Sequence, residues 1–249
     1  MAEQARAIVV LTPAESKRLI AMAVTSLPEV KRALRRGRII IGSGTTNACI
    51  VEELTGKRID RFWYAAGRIT GGELGANELE RRLPPSVFVN GRPSRKRAAD
   101  VLNTFTADDV LIKGANAVDT GGAAGVLMGD PQGGTIGSSI GIIMARGAHL
   151  IVPVGLEKLI PSVAAAAQAC GQGKFDYATG DKVGMMPLVG ARIITELEAV
   201  KLLYGVEAVH VASGGVEGSE GSVVLALNGE RKSVRSAFGS IKKIKATPS

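Results

Sequence analysis

The sequence predicts an α/β protein: a Rossmann-like, mainly parallel sheet with helices on both faces, followed by a small C-terminal α+β, ferredoxin-like subdomain. Three observations predict it. The runs Arg38-Ile-Ile-Ile41, Asp109-Val-Leu-Ile-Lys113 and His149-Leu-Ile-Val-Pro-Val154 are apolar without alternation, as strands buried on both faces are. Helical patterns separate these runs, which is the rhythm of βαβ units. Glycine is abundant (32 residues) while aromatic residues are only 4%, a pairing that suits tight strand-to-helix turns better than an aromatic groove for single-stranded nucleic acid.

Thr12-Pro-Ala-Glu15 opens the first helix: a capping threonine, a proline at the first helical position, and a glutamate that reaches back to the cap. Leu19, Ile20, Ala23 and Val24 follow at helical spacing. Pro28 starts a second helix that runs through Val30 and Leu34 to a stop at Gly37. Strand 38–41 leads directly into Gly42-Ser-Gly-Thr-Thr-Asn47, and Ala48–Leu54 continues as a helix ending near Gly56. Ile59–Ala65 and Val87–Val89 read as strands, Ala98–Phe105 as a short helix, and 109–113 as a buried strand. The glycine-rich stretch 120–141 reads as a loop and a helix packed close to backbone. Strand 149–154 precedes a helix from Glu157 to Ala169. Composition shifts around Gly171–Gly184, which places a domain boundary between residues 184 and 185. Beyond it, Arg192–Tyr204 reads as helix, Ala208–Ala212 and Ser222–Leu227 as strands, and Arg231–Lys242 as an amphipathic helix with Val234, Ala237, Phe238 and Ile241 turned inward. Gly214–Gly221 reads as the hairpin loop between the last two strands.

The formal charge of +8 favours anionic partners of every kind. Much of it lies in Lys31–Arg38, Arg92–Arg97 and Lys242–Lys245, but no nucleic-acid motif accompanies these runs, so RNA binding is the weaker alternative. Cys49 and Cys170 are the only cysteines and His149 and His210 the only histidines, none at metal-ligand spacing, so no metal or cofactor is expected. No apolar stretch is long enough to span a bilayer and no signal-peptide pattern is present, so the expected location is the cytoplasm, without membrane contact.

Two segments carry the candidate chemistry. In Gly42-Ser43-Gly44-Thr45-Thr46-Asn47 the glycines let backbone approach a ligand, and the following helix offers unpaired amides at its positive end. Ser43, Thr45 and Thr46 add small hydroxyl donors. A phosphate or carboxylate suits such a loop. Asn47 stands where a dinucleotide fingerprint needs its third glycine, and no Gly-Lys-Ser/Thr follows, so this is neither a Rossmann fingerprint nor a P-loop. The second segment, Lys113-Gly114-Ala-Asn116-Ala-Val-Asp119, leaves a buried strand at the end where ligands collect in parallel sheets. Asn116 and Asp119 are also ordinary turn formers.

Together these segments resemble the ribose-5-phosphate isomerase, glucosamine-6-phosphate deaminase and CoA-transferase superfamily, over about residues 38–160. His149–Lys158 is similar to the next strand of that fold, which ends near a lysine. The resemblance implies that the first loop holds the phosphate, carboxylate or CoA-equivalent group of a small metabolite, and that the protein is a homo-oligomer. The isomerase pattern Asp-Gly-Ala-Asp-Glu-Val-Asp is altered here: Lys113 and Asn116 replace its first two acids and Ala117 its glutamate. Moving a proton between carbons needs a base, which lysine and asparagine do not simply supply, so isomerase activity itself is not expected. The expectation is a divergent member that binds a small anionic metabolite through Gly42, Ser43, Gly44, Thr45, Thr46, Asn47, Lys113, Gly114, Asn116 and Lys158. Asp119, Glu73 or Asp130 would supply a base if there is turnover. A non-catalytic effector-binding protein is the alternative.

Overall fold

Ile39 and Ile41 face one hydrophobic core while Ile40 between them faces another, and the same alternation recurs in Val110-Leu-Ile112 and Leu150-Ile-Val152. A strand buried on both faces needs helices on both sides, and that requirement organises the fold. The computed structural model describes residues 3–245. In chain order the elements are β1 (Gln4–Leu11), α1 (Pro13–Ser26), α2 (Pro28–Arg36), β2 (Arg38–Ile41), α3 (Thr45–Thr55), β3 (Gly67–Thr70), β4 (Glu73–Ala76), β5 (Ser86–Val89), β6 (Arg92–Ser94) and α4 (Ala98–Leu102). There follow β7 (Val110–Ile112), β8 (Ala117–Val118), β9 (Ala124–Met128), α5 (Gly134–Arg146), β10 (His149–Pro153), α6 (Val163–Ala169), β11 (Gly184–Leu188), β12 (Arg192–Ile194), α7 (Glu196–Tyr204), β13 (Glu207–Gly214), β14 (Ser222–Glu230) and α8 (Arg231–Lys245).

The protein is mixed α/β around a six-stranded, mainly parallel sheet in the order β12-β10-β7-β2-β5-β6. The first four strands run parallel, with Ile41 opposite Ile112, Ile112 opposite Ile151, and Pro153 opposite Ile194. Strands β5 and β6 close the far edge in the antiparallel sense. On one face α1, α2, α3 and α7 bury Leu19, Val24, Val30, Ile50 and Val200 with Ile39, Ile112 and Ile194. On the other, α4 and α5 bury Val101, Ile136 and Ile143 with Ile40, Leu111 and Val152.

Because β2, β7, β10 and β12 are parallel, their carboxyl ends open on one edge. Asp109 braces the opposite edge. Fully buried, it accepts the Arg38 amide (2.6 Å), the Arg38 guanidinium (2.9 Å) and the Thr106 amide (2.7 Å), locking the starts of β2 and β7 together.

A second sheet, β1-β14-β13, is antiparallel and packs Val9, Leu11, Leu225 and Leu227 onto α8 through Val234, Ala237 and Ile241. Smaller sheets are β11-β9-β8 and the hairpin β3-β4.

Several expectations differ in detail. Arg192–Tyr204 is not one helix. Residues 192–194 form a sheet strand, and a capping box, in which Thr195 and Glu198 bond each other's backbone amides, starts α7 only afterwards. Ile59–Ala65 forms turns, not a strand, with Asp60 Oδ1 accepting the Phe62 and Trp63 amides. Pro161 interrupts the expected helix 157–169, leaving a single 3-10 turn at Leu156–Lys158 before α6. The 184/185 boundary falls where β11 begins; β12 beyond it belongs to the large sheet, and β1 at the start of the chain pairs with β14. Phe238 is 40% exposed, not buried with its neighbours on α8.

Candidate functional site

The carboxyl ends of the four parallel strands deliver Gly42, Lys113, Val154 and Thr195 to one edge. Their ladder continues past the strands: Gly42 N–H donates to Ile112 O, Lys113 N–H to Ile151 O, and Val154 N–H to Ile194 O. The loops that follow are therefore held in register, and chemistry placed on them sits on a rigid base.

The turn from β2 into α3 is anchored at three points. Gly44 N–H donates to Tyr64 O at 3.0 Å. Tyr64, itself buried, donates its hydroxyl to Ile41 O at 2.9 Å and takes the Ser86 amide. Asn47, wholly buried, donates Nδ2 to Gly42 O at 2.8 Å. Gly44 adopts φ +145°, a conformation that side chains rarely take, and α3 begins after it without a side-chain cap. Among the described residues the amides of Thr45, Thr46 and Asn47 thus start the helix with no acceptor, at the positive end of its dipole. Asn47 Oδ1, beside Gly114, is buried without a partner as well.

Two lysines stand next to this turn. Lys113 lays its stem against Gly42, and its Nζ donates to Gly114 O at 3.1 Å. Lys158, on the turn after β10, donates Nζ to the neighbouring carbonyl, Ala115 O, also at 3.1 Å. Lys113 keeps part of its surface open, but its ammonium lies deep among protein atoms. That burial, with the Lys158 charge beside it, brings its pKa down to about 8. Burial lowers the pKa of Lys158 too, but Glu157 and Glu196 nearby favour its charged form, while Lys17 opposes it. Among the described residues no carboxylate forms an ion pair with Lys113.

Farther along the same edge is a group of acceptors. Glu196, the first residue of α7, is fully buried and accepts the Leu156 amide on Oε2 at 2.9 Å. Its Oε1 has no partner, nor do the buried Ser16 Oγ and Glu157 Oε2. Desolvation raises the Glu196 pKa to about 7; the adjacent Ser16 hydroxyl pulls against that rise without a hydrogen bond in good geometry. The Glu157 carboxyl folds over Gly155, where a β carbon would collide with it.

The residues expected from sequence therefore divide. Gly42, Ser43, Gly44, Thr45, Thr46, Asn47, Lys113, Gly114 and Lys158 lie together on this edge. Asn116 is exposed and turns to β9: its N–H donates to Gly125 O and its Oδ1 accepts the Leu127 amide. Asp119 commits both oxygens to backbone, Oδ1 to the Ala123 amide and Oδ2 to the Val163 amide at the start of α6, and these bonds hold its pKa down. Glu73 is exposed in the β3-β4 hairpin, opposite Thr70. Asp130 is exposed and accepts the Gln132 amide in a local turn. None of these three acids is bonded to the loop 42–47. Glu196, which the sequence pattern makes a helix-face acid, and Ser16 and Glu157 are not among the residues the sequence assigns to the site. The signal for Glu196 is its place right after a short strand that the pattern of 192–204 absorbs into a helix.

Comparison with protein-family models, curated proteins and solved structures returns no match. Among the described residues no helix is long and apolar enough to cross a membrane, and no group of three or more His, Cys, Asp or Glu side chains could hold a metal ion.

Proposed function

We propose that this protein binds a small anionic metabolite, a sugar phosphate or a related phosphate or carboxylate, at the carboxyl edge of its parallel sheet. One observation carries the reading. Among the described residues, the cationic Lys113 and Lys158 bond to adjacent backbone carbonyls and to no carboxylate, beside a helix N-terminus whose first amides find no acceptor. A buried ammonium that no carboxylate pairs, as at Lys113, is costly, and an anion held between the loop amides and the lysines would relieve that cost and satisfy the open amides at once. As a divergent isomerase-like protein this chain would have a Rossmann-like large sheet and a ferredoxin-like unit made of β13, β14, α7 and α8. The parallel order β10-β7-β2 and the α-β-β-α succession support them.

A non-catalytic effector-binding role is the second reading, favoured by Asp119, whose carboxylate is fully engaged in holding backbone.

Thermal unfolding tests the site. Inorganic phosphate or ribose 5-phosphate is expected to raise the melting temperature in a saturable way, and ribose to leave it unchanged. The phosphate response should disappear in Gly44→Asp, which sets a carboxylate against the free amides, and weaken in the gentler Lys113→Met. A wild-type protein indifferent to every phosphate and carboxylate tried would sink the proposal.

A further inference from the structure

The two lysines differ in what surrounds them. Lys158 has Glu157 and Glu196 close by and is suited to remain an ammonium. Among the described residues no acid forms an ion pair with Lys113. The charge set beside it is the ammonium of Lys158, which is anchored on the carbonyl next to its own. Its stem is fixed against Gly42, so the amine stands at the end of β7, immediately beside the turn that would hold the anion.

A second cation at its side and a dry surrounding suit Lys113 to hold an anion, but both also penalise its charged form when no anion is there. An amine that must be a nucleophile gains from both, because each favours the neutral form with its free electron pair. We propose that Lys113 is an imine-forming lysine whose carbonyl partner is an aldehyde or ketone carrying a phosphate or carboxylate, the anionic end seated on the loop Gly42–Asn47. This rests on the anion site described above and deepens it by naming the second functional group of the ligand.

The step balances without an added reactant. The Nζ electron pair attacks the carbonyl carbon, forming the C–N bond as the C=O π electrons move to oxygen. Proton transfer from nitrogen to that oxygen gives the carbinolamine. The C–O bond then breaks and the oxygen leaves as water, with both amine protons transferred to it in net terms and C=N left in place. Protonated, the imine keeps the single positive charge that Lys113 would carry as an ammonium. It then draws electrons from the adjacent C–H bond more strongly than the parent carbonyl does. Lys158, charged and next to it, stands where it can hold the departing oxygen or the anion.

Reductive trapping tests this on the full chain. The protein is incubated at pH 7.5 with glycolaldehyde phosphate or glyoxylate and sodium cyanoborohydride, which reduces the imine to a stable secondary amine, and the adduct is mapped by peptide mass spectrometry. One adduct per chain at Lys113 is expected. It should form roughly tenfold to a hundredfold faster than at an average surface lysine, in line with a pKa of about 8 against 10.5. Inorganic phosphate should slow it, uncharged glycolaldehyde should show no such selectivity, and Lys113→Arg, checked by circular dichroism for folding, should abolish it. Adducts scattered over the surface lysines, or a Lys113 adduct insensitive to phosphate, would overturn the proposal. If phosphate raises the melting temperature but Lys113 takes no label, the imine chemistry is wrong and the anion site stands. If neither occurs, both are wrong.

Discussion

Lys113 rests against Gly42: a β carbon on that glycine would stand 3.2 Å from Lys113 Cδ and 3.4 Å from Ile112 O. The contact joins the ends of two neighbouring strands, so the bare backbone of one becomes the seat for the reactive side chain of the other. Gly42→Ala is expected to displace a flexible stem more than to disturb the fold. Stability should fall by about 1 kcal/mol, the low end for an added carbon in a packed site, while phosphate affinity and the rate of Lys113 labelling fall at least about fivefold. A melting curve and a phosphate titration on the same variant separate the two effects.

Removing the Lys113 charge should stabilise the protein near neutral pH. The folded pKa is lowered to about 8 from 10.5, so between those values the unfolded chain holds more protons and wild-type stability rises with pH. Lys113→Met is therefore expected to be more stable than wild type by up to about 3 kcal/mol below pH 8. The advantage should shrink to nothing above pH 10.5. Urea unfolding at pH 7 and at pH 10.5 measures it; a variant less stable at both values would show that the amine is well paired.

Glu196 should behave in the opposite sense. Its folded pKa is raised from 4.5 to about 7, so the folded protein holds the extra proton in that interval and wild-type stability falls as pH climbs through it. Glu196→Gln preserves an acceptor for the Leu156 amide and removes the buried charge. It is expected to gain up to about 3 kcal/mol above pH 7 and nothing below pH 4.5. An equal gain at both ends would mean that the carboxyl does not titrate in this range.

Asp119 distinguishes a structural acid from a ligand-binding one. Its two oxygens hold the amides of Ala123 and Val163. Asp119→Ala should lower the melting temperature while leaving phosphate affinity and Lys113 labelling as they are. Unchanged stability with lost binding would return Asp119 to the site.

Asp109 should be the most sensitive acid in the chain. Replacing it with alanine leaves the Arg38 and Thr106 amides without their acceptor at the start of the sheet. A loss of about 2–4 kcal/mol is expected in chemical denaturation.

Much of the sheet was legible because its strands are buried on both faces: three isoleucines in a row at 39–41 permit little else. The capping pattern Thr12-Pro-Ala-Glu15 also specified the start of α1, where Thr12 and Glu15 bond each other's backbone amides. Short elements were hidden. Residues 192–194 look like the first turn of the helix they precede, and only pairing with β10 makes them a strand. Lys113 and Lys158 are legible as candidates because each follows a readable strand. Asn116 and Asp119 follow the same strand, but their hydrogen bonds to β9 and α6 depend on where those elements return, which local pattern does not specify. Glu196 reads from sequence as an acid covering a helix face, because an acid at the start of a helix normally lies in solvent; its burial comes with the turn 156–158, whose Leu156 amide it accepts.

The pairing of β1 with β14 has a consequence for how the chain acquires its structure. Residues 4–11 meet their partners only at 223–230. During synthesis β1 must wait for this partner, with Val9 and Leu11 lacking its cover, until residues 223–230 have been made. Closing so distant a contact is slow in entropic terms. The large sheet can assemble earlier, from β2, β7, β10 and β12 in turn, while α1 lacks the antiparallel sheet that later covers part of it. Ser16 lies on that helix and Glu196 opens α7, so the acceptor end of the candidate site waits until α7, made after the last strand of the large sheet, packs against α1.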